Sequence, residues 1–147
     1  MVTAEKIMDM LDWHMPSEIQ AKGRALAMNM DTFIPFIQPL TPKHNKNVWD
    51  NCAAIIAEKK DEELKPYLTE LLEWLQDMNW PGAFCILHRL QKYTDTNSIS
   101  NAVNACVKKP KWKEMRFGNA TCVYFGINSK FVLKNKELIP VSLSVSG

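Results

Sequence analysis

An all-α fold of stacked helix pairs is what this sequence predicts, on three observations. Apolar residues recur at helical spacing in successive segments, most regularly between Val48 and Val107. The segments open at Asn47, Leu64, Pro81 and Ser98, three equal steps of 17 residues, so that two steps make a hairpin of solenoid-repeat size. The connections between them are short, which forces neighbouring helices to run antiparallel. The expected architecture is a HEAT-like stack of antiparallel helix hairpins, one helical-repeat domain over residues 1–147.

The first element is Thr3 to His14, which reads as a helix with Ile7, Met8 and Leu11 on one side, stopped by Pro16. Ser17 to Gln20 has a capping-box pattern, in which the serine oxygen accepts from a free helix N–H and Gln20 reaches back. A second helix then runs to about Met30, with Ile19, Leu26, Ala27 and Met30 inward. Pro35, Pro39 and Pro42 restrict Phe33 to Gln38 to a short helical turn before a loop. Asn47 is placed to cap a helix that buries Val48, Cys52, Ile55 and Ile56. Asp61 can cap the next, whose Leu64, Leu68, Leu71, Leu72 and Leu75 form an apolar stripe. Pro66 falls in its first turn, where a missing N–H costs little. Asn79 caps a helix opening at Trp80-Pro81 and carrying Phe84, Leu87 and Leu90. Ser98 caps a last one with Ile99, Ala102, Val103, Cys106 and Val107. After about residue 118 the pattern breaks. Thr121 to Gly126 and Lys130 to Leu133 are β-prone, while Lys130 to Leu138 also fits an amphipathic helix. Residues 118–147 are expected to form an irregular cap of short β or helix.

Composition narrows the function classes. The chain is 46% hydrophobic and 23% charged, ordinary for a globular protein. Its longest apolar stretches, Cys52 to Ala57 and Thr121 to Ile127, fall far short of the ~20 residues that cross a bilayer. Glu5, Asp9 and Asp12 interrupt the N-terminal apolar residues, unlike a signal peptide, so a cytoplasmic location and no membrane partner are expected. The net charge of +2 hides an acidic body, with ten basic against fourteen acidic residues through Val107. From Lys108 onward eight basic residues face two acidic ones.

Chemistry-bearing motifs are absent. Cys52, Cys85, Cys106 and Cys122 lie far apart inside apolar runs, and buried reduced thiols are the expected state, with no metal or other cofactor. His14, His44 and His88 have no carboxylate or cysteine at a ligand spacing and read as surface or structural residues. There is no nucleophile elbow and no Walker loop, and five glycines cannot build a phosphate cradle. No catalytic residue is assigned, and the chain is not expected to be an enzyme.

Two constellations remain. On a helical wheel Glu63, Glu70, Glu73 and Asp77 lie opposite the leucine stripe, with Tyr67 and Trp74 on the border. An acidic ridge edged by aromatics suits a protein-docking face, because aromatics anchor interfaces and charge steers the encounter. The plainer alternative is a solvated acidic face whose two aromatics pack on the neighbouring helix. The second constellation is Lys108, Lys109, Lys111, Trp112, Lys113 and Arg116, which would suit phosphate neutralisation plus base stacking. Its plainer alternative is a cationic helix C-terminus complementing the macrodipole.

The run from Leu71 through Glu73, Trp74, Gln76, Asp77, Asn79 and Trp80 to Pro81 resembles the LLEWLQDxNWP signature of a bacterial family of unknown function. Ile37 to Leu40 and Asn47 to Cys52 are similar to what precedes that run, and the resemblance covers roughly Ile19 to Tyr93. It implies a small HEAT-like α-fold with no known activity. It also implies a link to immunity, since some members are encoded near toxin loci. The signature has a structural explanation as well, since Asn79, Pro81, Trp74 and Trp80 can fix a hairpin corner. The expected function is a protein-binding module, with neutralisation of a cognate toxin as its specific form. The alternatives are a nucleic-acid binder or base-processing enzyme using residues 108–116, and an architectural subunit that self-associates through exposed Met and Trp.

Overall fold

The computed structural model describes residues 1–38 and 45–108, together with the backbone of residues 131–134 and 137–140. Helix α1, Ala4–Leu11, is capped by the Thr3 hydroxyl, which accepts from the Lys6 N–H at 3.3 Å, and it buries Ile7, Met8 and Leu11 as its spacing predicts. Helix α2, Ser17–Met28, begins directly after Pro16 with no side-chain cap. The capping box predicted here does not form. Gln20 donates instead to the carbonyls of Met15 and Trp13, at 2.6 and 3.2 Å, and so braces the turn between α1 and α2. The two helices approach closely at Gly23, where an added Cβ would lie 2.9 Å from the Met10 Cβ.

Helix α3, Trp49–Ala57, is preceded by a 3-10 turn at Lys46–Val48 whose cap is Asn45, not the predicted Asn47. The leucine-rich segment is not one continuous helix. It divides into α4, Asp61–Leu64, a 3-10 turn at Lys65–Tyr67, and α5, Leu68–Trp74. Pro66 is the reason. It lies too far along to occupy the first turn harmlessly, and it cannot donate the N–H that would continue α4 into α5. The leucine stripe nonetheless survives, with Leu64, Leu68, Leu71, Leu72 and Leu75 all buried. Helix α6, Ala83–Gln91, starts after the left-handed Gly82 at φ 81°, and Asn79 does not cap it. Helix α7, Thr96–Val107, is capped by Asp95, which accepts from the Ser98 N–H at 3.1 Å. Ser98 is thus inside the helix rather than at its cap.

The helix starts therefore fall at unequal steps, and the 17-residue register of the sequence is not kept. Packing has a simple order. Helix α1 lies on α2 and α2 on α3; further along, α3 packs against α6 and α5 against α7, with α5 also touching α6. One continuous core links these elements from Ile7 to Cys106. The C-terminal segment contributes short β, one of the two forms expected of it. Strands β1, Phe131–Lys134, and β2, Glu137–Pro140, pair antiparallel with Val132 opposite Ile139 and Lys134 opposite Glu137, and β2 lies against α7. No helix among the described residues is long and apolar enough to cross a membrane.

Candidate functional site

The predicted acidic ridge is divided by the break at Pro66. Glu63 on α4 is exposed, and its carboxylate accepts from the Lys60 N–H at 2.8 Å, so it serves as a helix cap. Glu70 and Glu73 on α5 are half-buried, and one carboxylate oxygen of Glu70 is sequestered with no hydrogen-bond partner among the described residues. Asp77 lies past the end of α5 in a turn, where its Oδ1 accepts from the Asn79 N–H at 2.8 Å and its carbonyl from the Trp80 N–H at 3.0 Å. Exposed Glu62 adjoins Glu63 on α4.

Its aromatics behave differently. Tyr67 is half-buried, edge-on to Phe33 at 5.4 Å between centroids. Trp74 is fully buried, so it is not the border residue that the wheel suggests and no partner can touch it. Its indole N–H donates to the Pro81 carbonyl at 2.9 Å and ties the end of α5 to the start of α6. Trp49 from α3 stands between Trp74 and Trp80, edge-on to both, with centroids 5.8 and 5.4 Å away. Gly82 closes the same corner: a Cβ there would lie 2.9 Å from the Trp49 carbonyl oxygen and 2.7 Å from the Ala53 Cβ. The signature run thus builds a hairpin corner, as its structural explanation held, through Gly82 and Trp49 rather than an Asn79 cap. Lys46 adds its ammonium over Trp49 and Trp80, at 5.7 and 5.4 Å from the ring centroids. Among the described residues the buried Trp49 indole N–H has no hydrogen-bond partner.

A second cluster, which sequence spacing did not reveal, joins four segments at Asp61. Its Oδ1 accepts from Arg89 Nη2 at 2.6 Å, and its Oδ2 from the Thr94 N–H and hydroxyl at 3.0 and 2.8 Å. Arg89 also donates to the Lys59 carbonyl, from Nη2 at 2.8 Å and Nε at 3.2 Å. Burial opposes the Asp61 charge, but the Thr94 and Arg89 hydrogen bonds and the guanidinium charge outweigh it and hold the carboxyl below its usual range. The latch forms one wall of an open cleft between α3 and α6, lined also by Ala57, Glu58, Cys85, His88 and Lys92. Burial, then Asp50 and Glu58, push the Cys85 thiol up, so the cleft holds a protonated thiol and not an activated nucleophile.

The remaining polar groups also brace the fold. Buried Asn51 donates to the Leu11 carbonyl at 2.7 Å and to Gln20 Oε1 at 2.9 Å, and accepts from Arg24 at 2.5 Å, which locks α1, α2 and α3 together. His14 does have a carboxylate partner, contrary to the expectation from sequence: its Nδ1 lies 2.9 Å from Asp12 Oδ1 in an exposed turn. The same Asp12 oxygen accepts from the His14 backbone N–H, which together with the imidazole lowers the Asp12 carboxyl pKa. Cys52 is buried with its thiol toward Met8 Sδ at 3.7 Å, and burial pushes it up to about 12. Among the described residues no group of His, Cys, Asp and Glu is arranged to hold a metal ion. Of the basic constellation, Lys108 is exposed at the C-terminus of α7, while Lys109, Lys111, Trp112, Lys113 and Arg116 lie outside the described residues, as do His44 and Cys122.

The chain belongs to the family described as a domain of unknown function (DUF5071), whose model matches residues 40–116. That span takes in α3 to α7 and the whole basic run. It begins later than the resemblance read from the sequence and extends further. Neither a curated protein nor a solved structure matches the chain.

Proposed function

We propose that this member of the DUF5071 family is a non-catalytic protein-binding module, with neutralisation of a toxin as the specific form of that role. The observation that carries the reading is the run of acids from α4 to the turn after α5, where Glu62 and Glu63 are exposed and Glu70, Glu73 and Asp77 half-buried. Acidic charge of this kind draws a basic partner into register over distances longer than contact. Against a nuclease toxin the same face would stand in for phosphate and occupy the basic cleft.

The test begins with capture of partners from the native host's lysate, including products of neighbouring genes, identified by mass spectrometry. Glu62→Lys with Glu63→Lys should slow association with a captured partner at least about tenfold at low salt and flatten its salt dependence. On-rates unchanged by this reversal, in a protein whose circular dichroism is native, would eliminate the face. Recovery of nucleic acid in place of any protein would move the function to Lys108 and the basic run behind it.

A further inference from the structure

We propose that the right-angled corner between the Trp49 and Trp80 rings is a cation-recognition subsite, filled in the free protein by Lys46 and on binding by a lysine or arginine side chain of a protein partner. The rings meet at 89° with centroids 5.4 Å apart, so they wall a notch on two sides. The Lys46 ammonium stands within reach of both ring faces, at 5.7 and 5.4 Å, which places the best position for a positive charge.

The walls are packed into the fold, and the occupant is exposed. Trp49 is 5% exposed and backed by Trp74, which is itself pinned to the Pro81 carbonyl, and the φ 81° glycine at position 82 brings α6 tightly against them. Lys46, by contrast, is exposed on a short 3-10 turn, and no carboxylate among the described residues forms an ion pair with it. A preorganised notch with a tethered, replaceable cation binds an incoming one at little ordering cost. The charge nearby favours exchange. Exposed Asp50 is next to Trp49 in the chain, and Asp77 sits in the turn that presents Trp80. An arginine gains further, since its plane stacks on an indole face while its fork remains free to donate hydrogen bonds. The subsite shares with the acidic ridge the premise of a protein partner, but its test needs none, so the two fail separately.

The test titrates the full chain with n-butylammonium and with N-acetyl-arginine methylamide at constant ionic strength, following the five indole N–H resonances by NMR. Lys46→Ala should give saturable shifts at Trp49 and Trp80 alone, at concentrations at least about threefold lower than the wild type requires, because the resident competitor is gone. Trp80→Leu in that background should remove the response while circular dichroism stays native. Lys46→Gln takes the place of Lys46→Ala if the latter does not fold. Absence of saturable shifts at the two indoles in a folded Lys46 variant would overturn the proposal. So would equal binding of neutral n-butanol, which would make the corner merely apolar.

Discussion

At Asp61 two opposing effects act on a single carboxylate, and the hydrogen bonds prevail. With the folded-state pKa depressed, the latch contributes stability that is fully present above the unfolded carboxyl pKa of about 3.9 and is lost as pH falls through the folded value. Asp61→Asn should therefore cost about 1–3 kcal/mol at pH 7 by denaturant titration, and the difference from wild type should shrink as pH drops below 4. A difference that stayed constant to pH 2 would mean that packing, not charge, makes the latch. Gly82 gives a second residue-scale prediction. Alanine there would carry both a left-handed backbone and a Cβ within 2.7 Å of the Ala53 Cβ, so destabilisation of about 2–4 kcal/mol is expected in thermal or chemical unfolding. Neither role is legible in the sequence. Asp61 and Arg89 are 28 positions apart, and the positive φ at Gly82 depends on how closely α6 approaches Trp49.

Helices are largely legible as elements because burial on one side imposes its period on the sequence. Ile7, Met8 and Leu11 on α1, or the five leucines across α4 and α5, reach the core as spacing predicts. Their ends are not legible. Several polar side chains could cap each terminus, and tertiary contacts choose among them, recruiting Gln20 to the α1–α2 turn and Asp95 in place of Ser98. Phe84 marks the limit of period alone: it fits the helical spacing, yet it is 59% exposed. The wheel puts Trp74 on the border of the leucine stripe, and the contacts with Trp49 and the Pro81 carbonyl, which no wheel shows, bury it there. Between elements, Asn51 is the decisive tie. Asn51→Ala would leave the Leu11 carbonyl and the Arg24 guanidinium without their present partners, and should lower stability by about 1–3 kcal/mol with the helical content unchanged. A loss below about 0.5 kcal/mol would show that water replaces the amide.

For the whole molecule, α3 pairs with α6 and α5 with α7, so helices distant in the chain share the core. The regular 17-residue spacing read from the sequence is not the spacing of the helix starts. The acidic character of the body is legible by counting. The aromatic corner is legible in part: the signature run points to Trp74 and Trp80, but not to Lys46 and Trp49, which come to them from an earlier segment. Association is accordingly expected to depend on charge: raising salt from about 50 to about 500 mM should slow capture of a basic partner while leaving its dissociation rate nearly unchanged. A dissociation rate that rose as steeply as association fell would place the charged contacts in the buried centre of the interface. The position of Cys52 has a further use. Its thiol is sealed between α1 and α3 and stays protonated at neutral pH, so iodoacetamide can reach it only when that seam parts. Its alkylation rate, read by peptide mass spectrometry against half-buried Cys85, is thus a clock for local opening. A rate equal to global unfolding would make the first hairpin part of one cooperative unit, and a faster rate would mark it as a piece that detaches first.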